Sequence, residues 1–308
     1  GYPWPSLSKF MPQDNLPIEL CEKKELIPFA QVGDAVIKYL FSSLDSLKNI
    51  QKKIDTSNSP ASFQITGSEC ELSTKLNVKD LVAKNVVGYI EGRDKSLKNE
   101  LVIIGGHYDH IGYMANHKEG EDYIFNGADD NASGTAGVMA TAKAFSSMKV
   151  KPKRSILFIC FAGEEKGLYG SDYYVEHPLY PLDKSVAMLN MDMIGRNGND
   201  TIEIDGFQFN PDLAKIMLKE AKNLGLKQFE SKEYLFERSD HYNFFKHGIT
   251  AVDISSGLHK DYHTVRDNPE TIIPLKVALI SKLTFKTAWI MANEKKYYKI
   301  LPLKRNKK

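Results

Sequence analysis

The apolar positions along the chain switch between two periods, and the switches mark its elements. Leu101-Val-Ile-Ile104, Ser155 to Ala162 and Val186 to Met191 are short, continuous apolar runs. Such runs predict strands buried on both faces, as in a parallel sheet. Val86 to Ile90, Thr201 to Asp205 and Ile249 to Ile254 add further strands. Between them the apolar period is helical. Val138, Ala142 and Phe145 form one stripe of a helix from Ser133 to Met148. Helices are also predicted for Leu168 to His177, Pro211 to Leu224, Asp240 to Lys246 and Ile272 to Met291. Pro211 in a first turn and Gly225 just past an end are regular helix boundaries. Strands alternating with helices predict an α/β fold. The expected form is a three-layer αβα sandwich around a mixed, mostly parallel central sheet.

The front of the chain has a different texture. Val36, Leu40, Leu44 and Leu47 recur at helical spacing and predict a helix over 33–54. Residues 1–25 carry Pro3, Pro5, Pro12 and Pro17 and read as an arm or linker. The basic tail 304–308 reads as a solvated end.

Composition narrows the classes. The 308 residues are 42% hydrophobic and 26% charged, as in ordinary globular proteins. Forty-one basic residues against 39 acidic leave a net charge of +2. That balance excludes the basic footprint of a nucleic-acid binder. No apolar run is long enough to span a bilayer. Three cysteines, Cys21, Cys70 and Cys160, are too few for a disulfide scaffold. Cys160 lies in a predicted strand as a core thiol; Cys21 and Cys70 are a candidate pair if the protein is exported.

Candidate chemistry gathers at predicted strand ends, where open α/β sheets bind ligands. Gly105-Gly-His107-Tyr-Asp109 follows one strand, Gly163-Glu164-Glu165 another, and Asp192 a third. His259, Asp261 and His263 follow a fourth, and Asp129-Asp130-Asn131 opens a helix. Clustered acids need compensation, and a His/Asp/Glu set suits zinc. Asp109, two residues beyond His107, is positioned to accept its second ring N–H. The neighbours Glu164 and Glu165 point apart, so one can bind metal while the other shuttles protons. Gly105, Gly106 and Gly163 are read as sharp turns at strand ends.

Six segments carry a resemblance. They are Gly105 to Gly112 (GGHYDHIG), Asn126 to Gly134 (NGADDNASG), Ala162 to Ser171 (AGEEKGLYGS), Asn190 to Gly195 (NMDMIG), Ser239 to His241, and Tyr262 to Asp267 (YHTVRD). Together, and in this order, they resemble the co-catalytic di-zinc exopeptidase family. That family includes bacterial leucyl aminopeptidases, glutamate carboxypeptidases and, more distantly, glutaminyl cyclases. The resemblance covers roughly Asn85 to the last helix. It implies two zinc ions per chain: His107 and Asp192 on one, Glu165 and His263 on the other, Asp130 bridging. It further implies Asp109 as the group that orients His107 and Glu164 as the general base. Family members are commonly exported. Segment 26–80 resembles the end of an inserted protease-associated region. The expected division is an arm and insert remnant over 1–80 and the catalytic domain over 81–308. A full-length relative is expected to carry roughly one to two hundred further residues, and the expectation is that this chain is a truncation or lacks internal stretches.

The expected activity is an aminopeptidase that releases neutral or apolar N-terminal residues from peptides. Asp240, His241, Arg196 and Tyr262 are weaker candidates for substrate contact or support of the ligands. His110, His117, His177, His247 and His259 read as loop or helix-end residues. Phe207, Phe209, Tyr234 and Phe236 read as packing more than pocket lining. Three rival readings stay open. A carboxypeptidase needs basic residues such as Arg196, Arg238 or Lys260 for a second carboxylate. A one-zinc cyclase conflicts with the full ligand set, and so does a receptor-like relative that has lost its ligands.

Overall fold

The computed structural model describes residues 32–72, 80–228, 235–295, 298 and 300. The chain divides into two compact units, Gly1–Leu81 and Val82–Lys308. In the first, α1 (Asp34–Phe41) and α2 (Leu44–Ser57) stand where one helix was expected. The path breaks at Ser42, which has φ 63°. Ser43 then restarts the helix, its Oγ accepting the Ser46 N–H at 3.1 Å. A serine pair favours such caps over helix interior, and here that preference overrides the apolar spacing. The arm 1–25, Cys21 and the tail 304–308 lie outside the described residues; Cys70 is exposed.

The second unit runs β1 (Val86–Ile90), β2 (Leu101–His107), β3 (Gly112–Tyr113), β4 (Ile124–Phe125), α3 (Gly134–Ser146), β5 (Ser155–Phe161) and α4 (Tyr169–Glu176). It continues through β6 (Ser185–Met191), β7 (Thr201–Asp205), α5 (Pro211–Asn223), β8 (Lys227–Gln228), α6 (His241–Lys246), β9 (Ala251–Ser255) and α7 (Pro274–Asn293). Among the described residues seven strands form one sheet in the order β1-β5-β2-β6-β9-β7-β8. The centre is parallel: β2 pairs with β5 and β6, and β6 with β9. β1 and β7 run antiparallel to their neighbours β5 and β9.

Strand alternation splits the core into two layers. Val102, Ile104, Ile156, Phe158 and Leu189 face Val138 and Phe145 of α3 and Ile280 and Leu283 of α7. Leu101, Ile103, Leu157, Ile159 and Met188 face Tyr174 of α4 and Phe244 of α6. The continuous apolar runs are thus residues buried alternately on opposite faces, and the fold is the αβα sandwich expected. Burial in β5 pushes the Cys160 thiol up.

One expectation is corrected. Gly105 and Gly106 are inside β2 and do not turn the chain. A Cβ on Gly106 would sit 2.7 Å from the Met191 carbonyl oxygen, and one on Gly105 2.7 Å from Met188 and Phe161 side-chain atoms. The glycines let β2 stay extended under close neighbours and carry His107 to the sheet edge. Gly163, with φ 72°, does turn the chain.

Candidate metal centre

The carboxyl ends of four strands meet at one edge. β2 ends in His107, and Asp192 follows β6 directly. Glu164 and Glu165 lie just beyond β5, and His263 lies in the loop after β9 with φ 55°. Asp130 sits in the irregular segment Ala128–Ser133 before α3. That segment is held from behind. Asp267 accepts the backbone N–H of Asp129 at 2.9 Å and of Asp130 at 3.0 Å. The Asn131 side chain accepts from Gly134 and Met193 and donates to Met191.

Asp130 stands between two histidines. Its Oδ1 is 3.3 Å from His107 Nε2, and its Oδ2 is 3.1 Å from His263 Nε2. On the His107 side, Asp192 Oδ1 is 3.4 Å and Glu164 Oε2 3.9 Å from Nε2. On the His263 side, Glu165 Oε2 is 3.2 Å from Nε2. The Asp192 Oδ2 accepts the Ser239 hydroxyl at 2.8 Å, and the Asn190 amide donates to both Ser239 Oγ and Asp253.

His107 Nε2, His263 Nε2, Asp192 Oδ1 and Glu165 Oε1 are buried and make no hydrogen bond among the described residues. Buried polar atoms are normally satisfied, so a convergent unsatisfied set calls for a ligand. Imidazole and carboxylate donors brought together in this way fit zinc. Two groups of donors close enough to hold an ion are His107 with Glu164 and Asp192, and His110 with Asp130 and Glu165.

The charges reinforce one another. Burial opposes protonation of His107, but Asp192, Asp130 and Glu164 hold its pKa well above the imidazole value. Contacts with Asp130 and Glu165 raise His263 to about 9. Burial pushes Glu164 well above the usual carboxylate range.

A cavity of about 540 Å³, part of it open to solvent, adjoins these groups. Asp130, Glu164 and Asp192 form one wall. Glu203, Asp205 and Asp253 add further acids; Met193, Leu235, Leu258 and Tyr262 add apolar surface, and Arg238 is the one basic lining residue among those described. Asp205 and Asp253 face each other across the β7–β9 pair.

Residues 85–288 match peptidase family M28. The chain belongs to peptidase family M28. Among its relatives, the Bacillus subtilis aminopeptidase YwaD is 28% identical over 203 residues, which are 62% of this chain and 40% of that protein. A Caenorhabditis briggsae glutamate carboxypeptidase 2 homolog is 28% identical over 165 residues, 52% of this chain and 19% of that protein. The solved Legionella pneumophila aminopeptidase LapA aligns with a TM-score of 0.57 at 25% identity, over 69% of this chain and 56% of that one. The chain thus spans less than two thirds of these relatives' length.

Within the M28 unit the weaker candidates fall into distinct places. Asp109 approaches His107 Nδ1 through its carbonyl oxygen, at 3.1 Å, while its carboxylate is 3.8 Å away. That carboxylate accepts the backbone N–H of Glu164 at 3.1 Å and Glu165 at 3.3 Å, because Asp109 lies past the strand end and turns toward the β5 loop. Arg196 does not face the cavity. It pairs with Asp261 at 2.6 Å and Asp267 at 3.6 Å, tying the His263 loop to the Asp130 segment. Tyr262 lines the cavity and stacks on His263 with ring centroids 3.8 Å apart. Asp240 and His241 are fully buried; burial raises Asp240 to about 7 and lowers His241 to about 3. His241 packs edge-on against Phe236. Phe209 and Phe236 pack on Phe245, as expected; Tyr234 lies outside the described residues.

Two histidines read as loop residues are drawn in. His259 Nε2 lies 3.3 Å from Asp129 Oδ2, and His110 Nδ1 lies 2.7 Å from Glu165 Oε1. In sequence, His110 had one available signal: it is the second histidine of His107-Tyr-Asp-His110, on a turn that cannot lead far from the strand end.

Proposed function

We propose that this chain is a zinc-dependent aminopeptidase that binds two metal ions. The observation that carries it is Asp130 facing His107 with one oxygen and His263 with the other, beside a cavity dominated by acids. His107, Asp192 and Asp130 would hold one ion; Asp130, Glu165 and His263 would hold the other. Bound zinc would supply Lewis acidity and a water activated for attack. The chain's own residues do the rest. With bound cations offsetting the burial that raises its pKa, Glu164 on the cavity wall would accept a proton from the attacking water and pass it to the leaving amine. Asp109 fixes the loop that presents Glu164 and Glu165 through the two backbone N–H groups it accepts.

The charge of the cavity argues for the amino end of a peptide. Burial and the neighbouring Asp192, Asp205 and Glu203 already hold the Asp253 carboxyl well above the usual carboxylate range, so the cavity accepts a free ammonium more readily than a further carboxylate. The carboxypeptidase reading loses Arg196 to its carboxylate partners and keeps Arg238 at the cavity. Export, as the family resemblance implies, belongs to the same reading; among the described residues no helix is long and apolar enough to cross a membrane. Matched dipeptides with free and acetylated amino ends test the activity. Release of the first residue from the free peptide supports it. Equal cleavage of the acetylated peptide contradicts it.

A further inference from the structure

The metal centre contains a histidine that the five-ligand scheme leaves without a role. His110 follows β2 by three residues, and its side chain is 9% exposed. Neither of its ring nitrogens makes a hydrogen bond among the described residues. By contrast, His117 Nδ1 lies 3.0 Å from the Met114 carbonyl and His247 Nδ1 2.8 Å from the Asn243 carbonyl, both hydrogen-bonded. Its close polar contacts are the Glu165 and Asp130 carboxylates, and a buried ring without an aligned hydrogen bond is costly unless something else satisfies it.

The orientation of the ring shows where that something sits. His110 Nδ1 is 2.7 Å from Glu165 Oε1 and 3.8 Å from Asp130 Oδ2. Despite the short distance, Nδ1 and Oε1 are not aligned as donor and acceptor; both count among the unsatisfied atoms. The 2.7 Å contact of Nδ1 with Oε1 is an ion-pair distance that a cation between them would lengthen, since two donors each about 2.1 Å from one zinc lie roughly 3–3.5 Å apart. The His107 pairs with Asp130 and Asp192, at 3.3 and 3.4 Å, already lie in that range. The backbone also makes room for this ring. Gly127 has φ 59°, and a Cβ there would sit 2.6 Å from His110 Cγ. The His263 ring packs edge-to-face with that of His110 at 5.7 Å between centroids.

We propose that His110, through Nδ1, is a further ligand of the ion held by Asp130, Glu165 and His263. This rests on the two-metal reading above. It makes the two ion positions chemically unequal: one has a single imidazole, the other two. The second ion is then bound more tightly than a single imidazole and two carboxylates alone provide.

The first test is zinc titration of His110→Ala against the wild type under competing chelator. The first equivalent is expected to bind within about twofold of wild type and the second at least 10–100-fold more weakly, the loss typical of weaker outer contacts to a metal ligand. Two equivalents at wild-type affinity overturn the proposal. A second test needs no variant. In the wild-type protein loaded with two cobalt(II) ions, each coordinated imidazole gives one exchangeable, strongly shifted ring N–H resonance in water. Three such resonances support His110 as a ligand, and two overturn it. If His110→Ala loses both ions together with its fold, this count decides. Two bound ions with two resonances defeat this inference alone. A wild-type protein that takes up no metal defeats the zinc reading as well.

Discussion

Asp130 Oδ2 lies 3.1 Å from His263 Nε2, while the other oxygen of the same carboxylate faces His107. In the proposed two-metal reading, one side chain therefore belongs to both ion positions. Asp130→Ala is expected to remove tight binding of both ions, whereas Asp192→Ala is expected to spare the second. The affinity loss for each affected ion should exceed the 10–100-fold typical of an outer partner. Metal content after gel filtration at fixed free zinc checks this; Asp130→Ala with one intact tight site contradicts it.

The raised pKa of His263, about 9, sets a pH dependence for metal uptake. Zinc requires the neutral imidazole. Below about pH 9 the metal-free His263 carries a proton that uptake must expel, so affinity should rise with pH up to that point. For the metal-free protein the stability sign is opposite. A pKa raised above the unfolded value near 6.5 stabilises the fold fully below 6.5, and that stabilisation is lost as pH rises through 9. Calorimetric titrations at pH 7 in buffers of different ionisation enthalpy should show net proton release on zinc binding. No release contradicts the assignment.

Arg196 is a brace in this structure. Its side chain is 12% exposed, and its partner Asp267 is fully buried. Removing one member of a buried pair leaves an uncompensated charge, at about 3–5 kcal/mol. Arg196→Met is expected to cost about 3 kcal/mol, or roughly 6–12 °C in Tm. A thermal melt checks it. Unchanged Tm with a selectively raised KM would instead mark Arg196 as a substrate contact.

Burial and the neighbouring Asp192, Asp205 and Glu203 hold the Asp253 carboxyl well above its usual range, so a further negative charge in the cavity is disfavoured. N-terminal Asp or Glu is expected to be released at least about tenfold more slowly, in kcat/KM, than neutral or basic residues, a factor worth about 1.4 kcal/mol. Tyr262, Met193 and Leu258 keep neutral side chains acceptable. A dipeptide series varied at the first residue checks this. Preferred release of acidic residues contradicts it.

Much of this was legible in the chain. The αβα order followed from Val102, Ile104 and their counterparts, because strands buried on both faces leave an unmistakable apolar run. His107, Asp130, Glu164, Glu165, Asp192 and His263 were legible as strand-end chemistry, since the carboxyl edge of a sheet is fixed once its strands are. Three things were not. Gly105 and Gly106 read as a turn because local sequence cannot show the Met191 carbonyl packed against them. Arg196 read as ambiguous because its partners Asp261 and Asp267 lie 65 and 71 positions on. His110 and His259 read as loop residues because a loop's return to the site depends on tertiary folding, as with the Gly127 pocket for the His110 ring.

The most direct measurement is the rate at which a free-amine dipeptide releases its first residue, for wild type and Glu164→Gln matched in zinc content. The expected result is turnover by the wild type and a loss of at least roughly 10²–10⁴-fold in the variant, the usual worth of a positioned proton carrier. Turnover by the variant near the wild-type rate would contradict the account.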